Sequence, residues 1–160
     1  SFTSGIDDTY DSYVFKFINI HPNSSDDYFK FQADTGTNTN YNQTITSTFF
    51  RTTHNEPDSF TDLAYRTGSD LAQSTAFQTL GDGVDNDNDG SMSGTLQLFN
   101  PSSTTFVKHF ISQQQFMASD GSRTCYAAGY FNTTTAITRF QFKFESGNID
   151  SGVIKLYGIS

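Results

Sequence analysis

Tryptophan is absent from this chain, cysteine occurs once, glutamate twice, and basic residues are few: nine Lys and Arg stand against 17 Asp and Glu in 160 residues. Each scarcity excludes something. A single cysteine, Cys125, cannot close an internal disulfide, so the fold rests on its core or on its neighbours. Cys125 itself is expected to be a buried small apolar residue, with a reactive or intermolecular thiol as the alternative. Phosphate recognition depends on a clustered basic patch, and here the basic residues are scattered along a chain of formal net charge −8, so no nucleic-acid partner is expected. No apolar run approaches the roughly 20 residues that a bilayer-crossing helix requires, and no charged-then-apolar leader opens the sequence, so no membrane partner is expected.

What is abundant points the other way. Seventeen Phe and eight Tyr alternate with polar residues between segments dense in Ser, Thr, Asn, Asp and Gly. Aromatic and β-branched side chains suit a pleated, half-buried surface, and the small polar residues and glycine suit tight turns. Period-two alternation marks Tyr13 to Ile20, Tyr28 to Ala33 and Tyr41 to Arg51 as strands, the first two expected to pair across the turn His21–Asp27. Further strands are expected at Gly94–Phe99, Thr105–Phe116, Thr124–Phe131, Ala136–Glu145 and Val153–Ile159. In Ala136–Glu145, Phe140, Phe142 and Phe144 share one face and belong in a core. Between Ser59 and Leu80 the pattern weakens, and Asp70–Phe77 suits a short helical turn or an irregular strand equally. About eight strands without a long helix describe one all-β domain over residues 1–160. The expected form is an antiparallel β-sandwich, with a jelly roll preferred over another Greek-key topology.

Few residues suggest chemistry. Asp85-Asn86-Asp87-Asn88-Asp89-Gly90 matches the first half of a calcium loop, in which alternate oxygen ligands converge on a hard cation and glycine permits the sharp turn. The match then fails, since Leu96 falls at the twelfth position, where a bidentate glutamate belongs. Asp85, Asp87 and Asp89 are the candidate metal ligands, with calcium the expected ion because no thiol or imidazole accompanies them; the alternative is a solvated acidic turn. His21, His54 and His109 lack partners at metal-ligand spacing. No Gly-x-Ser-x-Gly elbow is present. Asp7-Asp8 and Asp26-Asp27 lie in turns, where aspartate serves local hydrogen bonds, and Glu56 and Glu145 stand alone. No catalytic residue is therefore assigned. Tyr65, Tyr126 and Tyr130 are candidates for stacking on sugar rings, with core packing as the competing use. The Asn-x-Ser/Thr triplets at Asn23, Asn42 and Asn132 read as ordinary turns.

Three segments carry a resemblance: Ile6-Asp7-Asp8-Thr9-Tyr10-Asp11-Ser12-Tyr13, Leu96-Gln97-Leu98-Phe99-Asn100-Pro101, and the closing run Ser146–Ile159, which ends in Leu-Tyr-Gly-Ile. These are similar to a family of small virion proteins of tailed bacteriophages, many from marine hosts, and the similarity spans nearly the whole chain. The resemblance implies a β-sandwich displayed on a capsid, tail or fibre, and it supplies no catalytic residue. The expected function is that of a non-enzymatic virion structural protein, a capsid decoration or a tail or fibre component. Its expected partners are other virion proteins and further copies of itself, a trimer being the first expectation. The alternative is a receptor- or carbohydrate-binding module on the same particle, whose partner would be a host surface glycan.

Overall fold

The computed structural model describes all 160 residues and contains ten strands and no helix. They are β1 (Ser12–Pro22), β2 (Asp27–Thr35), β3 (Ile45–Asn55), β4 (Thr61–Tyr65), β5 (Gln78–Val84), β6 (Met92–Phe99), β7 (Lys108–Ala118), β8 (Gly121–Phe131), β9 (Ile137–Phe144) and β10 (Ile149–Ile159). All pair antiparallel, in a seven-stranded sheet ordered β10-β1-β6-β7-β8-β3-β4 and a three-stranded sheet ordered β5-β2-β9. The expected all-β sandwich forms. Its strand order does not by itself make it a jelly roll.

Alternation builds the core. Tyr13, Phe15 and Phe17 of β1, Leu96 and Leu98 of β6, Phe110 and Phe116 of β7 and Phe49 of β3 turn inward from the large sheet. Phe29 and Phe31 of β2 and Phe140, Phe142 and Phe144 of β9 meet them from the small one, all buried, as the β9 alternation requires. The rings pack mainly edge to face or tilted, Phe15 against Phe142 at 4.9 Å and Phe31 against Phe110 at 5.1 Å, which suits the quadrupoles of neighbouring rings. One contiguous buried cluster results, and Phe2 closes its rim through an isolated bridge to Phe140.

Two expectations need correction. Strands β1 and β2 are not a hairpin: β1 pairs with β10 and β6, whereas β2 pairs with β5 and β9. Both strands present aromatic faces that bury best against each other, and Phe17 meets Phe29 at 5.4 Å across the sandwich rather than along a ladder. The segment between them is a sheet-crossing corner. Asp27 fixes it, its carboxylate accepting backbone N–H groups from Tyr28, Glu145, Ser146 and Gly147. Secondly, the weak region contains two strands, β4 and β5. Asp70–Phe77 forms neither a helix nor a strand, only the isolated bridge from Ser74 to Ile45. Every residue of β5 is buried, yet Gln78, Thr79, Gly81, Asp82 and Gly83 give it no apolar alternation. Polar partners make that burial tolerable: Gln78 accepts from the Ser47 hydroxyl and donates to the carbonyls of Ser69 and Thr79.

Candidate functional site

The outer face of the seven-stranded sheet follows from the same alternation. With Phe15 and Phe17 inward, Val14, Lys16 and Ile18 face out, and the register carries this phase across every strand. One cross-sheet row reads Lys155, Lys16, Thr95, Gln113, Tyr126, Phe50 and Tyr65, and its neighbours carry Tyr157, Val14, Ile111, Leu63 and Val153. Although the chain has 17 acidic residues, no outward position between the bulge at Asn19 and the ends of these strands is Asp or Glu. Leu63 is 68% exposed, Ile111 57% and Tyr65 52%. Phe50 stacks on Tyr126 at 4.8 Å, and the Gln113 amide donates to the Tyr126 hydroxyl at 3.3 Å. Of the three tyrosines singled out from sequence, Tyr65 and Tyr126 therefore share one stripe, while Tyr130 lies four residues further along β8 against His109.

At the β4 end of the same sheet, on its inner side towards β5, lies a second feature that the scatter of basic residues along the chain concealed. Arg51 on β3, Arg66 just after β4 and Arg123 on β8 converge on β5. The Asp82 carboxylate, 3% exposed, accepts from Arg51 Nη1 at 3.2 Å and from Arg66 Nε at 3.3 Å. Arg123 Nη1 reaches the Gly83 carbonyl at 3.5 Å, and its Nε is buried without a partner, as is the hydroxyl of its cross-strand neighbour Thr53. Burial holds the Arg51 pKa below its ordinary value despite the adjacent carboxylate. The Asp82 charge, assisted by burial, raises that of Tyr28, its cross-strand partner. A recess of about 240 Å³ opens here, lined by Tyr28, Tyr65, Arg66, Asp82 and the Thr67–Ser69 turn. Spatial convergence of three arginines from separate parts of the chain leaves no local sequence signal.

The acidic loop is arranged otherwise. Asp85 is buried, and its Oδ1 accepts from the Ser25 hydroxyl at 3.0 Å and from the Asn86 amide at 2.7 Å. Asp87 and Asp89 are exposed, and the Asp87 carbonyl takes bonds from Gly90 N and the His21 ring. No group of three His, Cys, Asp or Glu side chains is gathered as a metal would need. His54 meets Asp58 at 3.0 Å beside an open cleft of about 420 Å³ that also includes Glu56 and Ser122. Both partners are exposed, and no hydroxyl or thiol is bonded to the imidazole. Asp7 accepts from Thr9 N and Tyr13 Oη, bonds that hold its carboxyl below the usual range. Glu145 pairs with Lys30. Asn23 and Asn132 bond to Asn148 N and Gln73 respectively, consistent with turn roles. Cys125 is buried, and desolvation pushes its thiol up to about 12.

Compared with protein-family models, curated proteins and solved structures, the chain matches none of them.

Proposed function

We propose that this chain is a non-catalytic structural module of a tailed-phage virion, a capsid decoration or a tail or fibre component, which acts by associating with copies of itself. The carbohydrate-binding alternative draws on the Tyr126–Phe50–Tyr65 stripe with its Gln113 amide. The observation that carries the assembly reading is the carboxylate-free outer face of the large sheet. A protein of net charge −8 repels its copies wherever acidic residues meet. On this face the charges are Lys16 and Lys155, at one end, and the remainder is aromatic, aliphatic, Thr and Gln. At the usual strand spacing and rise, seven strands offer an area on the order of 700 Å², about what each partner contributes to a standard stable interface. A symmetric particle then multiplies modest contacts into firm attachment.

Light scattering across a concentration series tests the reading. A homo-oligomer, with a trimer expected, should dissociate when Leu63→Asp or Ile111→Asp places charge in the face. Phe106→Asp, at an equally exposed loop site, should leave it intact. A monomer at high concentration, or an oligomer indifferent to the face substitutions, would overturn it. Antibody labelling of intact particles in the electron microscope then locates the chain.

A further inference from the structure

The arginine corner carries more positive charge than its own carboxylate answers. Two guanidiniums bond Asp82 and a third, that of Arg123, lies beside them at the Gly83 carbonyl, and no other carboxylate forms an ion pair with any of the three. The nearest candidates are otherwise placed: Asp70 accepts the Tyr65 hydroxyl at 2.6 Å, and Asp26, near Gly83, is exposed to solvent. A lone buried ion pair is a common structural device, but an unbalanced cluster is costly, because like charges repel more strongly where water is thin. An anion entering the recess relieves that repulsion. Arg66 lines the recess and its side chain is 37% exposed, while Arg51 and Arg123 stand behind it.

We propose that this recess binds the oxyanion of an acidic saccharide, a carboxylate or sulfate group held by Arg66 in the field of Arg51 and Arg123. Guanidinium geometry matches both groups through paired N–H donors. The saccharide part of the assignment comes from the walls. Tyr28 and Tyr65 both line the recess, so a sugar whose acid group reaches Arg66 has aromatic side chains beside it. Ser69 and Thr67 add hydroxyl groups. At Gly68 a Cβ would meet nothing within 4 Å, so this part of the rim has room. The inference does not rest on self-association: an oligomer that fails to bind, or a monomer that binds, separates the two.

The test is titration calorimetry or ligand-observed NMR with sodium glucuronate, glucose 6-sulfate, neutral glucose and inorganic sulfate, ionic strength being held constant with sodium chloride. Saturable binding of glucuronate or the sulfate ester is expected, at least tenfold tighter than glucose and than inorganic sulfate. Arg66→Gln should weaken it at least tenfold. Because Arg66→Gln also removes a bond to Asp82, Gly68→Glu serves as the second variant: it sets a carboxylate at the open rim while leaving every native bond of the cluster in place, and should abolish binding without lowering the melting temperature. Arg139→Gln, on β9 away from the recess, should bind normally. Absence of saturable binding, or binding that both variants leave within twofold, overturns the site. Equal affinity for inorganic sulfate and the sugar acids overturns the saccharide assignment.

Discussion

Phe142 should be among the most sensitive side chains in the protein. Its ring sits between the sheets and meets Phe15 at 4.9 Å, Phe17 at 5.2 Å, Phe2 at 6.0 Å, Phe29 at 6.1 Å, Phe140 at 6.2 Å and Phe31 at 6.4 Å. Phe144, two residues on along the same face, is slightly more buried, 2% exposed against 7%, but has Phe29 as its ring partner. Truncation to alanine forfeits about 2–3 kcal/mol of apolar transfer. The cavity left among neighbours held by two sheets adds about 2 kcal/mol. Phe142→Ala is therefore expected to destabilise by about 4–5 kcal/mol and Phe144→Ala by about 3 kcal/mol, against the roughly 5–15 kcal/mol that holds a domain folded. For a chain of this length each kcal/mol moves the melting midpoint by about 2–4 °C, so Phe142→Ala should melt at least ~8 °C lower. Phe106→Ala, 68% exposed, should change stability by less than about 0.5 kcal/mol. Urea unfolding followed by circular dichroism measures all three. A Phe144→Ala loss equal to or greater than that of Phe142→Ala would refute the reasoning, because the two differ in ring contacts far more than in burial.

Cys125 should resist thiol reagents at pH 8 in the folded protein and react at once in denaturant, since burial keeps it neutral; rapid native labelling would contradict its placement. Its folded pKa of about 12 lies above the ordinary value of 9.0, so the stability it contributes is complete below pH 9 and is lost as pH rises from there through 12. Cys125→Ala should flatten that alkaline decline in melting temperature, and an unchanged slope would assign the decline to other groups. The 85–89 loop should hold calcium weakly at most, because its carboxylates are not gathered and Asp85 already spends Oδ1 on Ser25 and Asn86. Millimolar calcium against chelator should raise the midpoint by a few degrees at most, and Asp87→Ala should remove the rise; identical melts in every condition leave the loop a solvated turn.

The β9 sequence alone determined where its phenylalanines go. Arg139-Phe140-Gln141-Phe142-Lys143-Phe144 has one phase that buries rings and one that exposes charge, so local alternation and tertiary burial agree. The same holds for β1 and β7, and for the buried thiol at Cys125. Strand β5 stayed hidden because its burial depends on partners from elsewhere: Ser47 and Ser69 satisfy Gln78, and Arg51 and Arg66 neutralise Asp82. Pairing between strands is equally non-local. Alternation states which face of β1 is buried but not whether β2 lies beside it or opposite, and packing of Phe17 on Phe29 decided for the latter. Both functional surfaces are products of that decision. The carboxylate-free face exists only once seven strands far apart in sequence share one register, and the arginine corner only once β3, β8 and the end of β4 meet β5. Charge and alternation are written residue by residue, whereas a surface is written by which strands become neighbours, and that is set by the packing of the whole core.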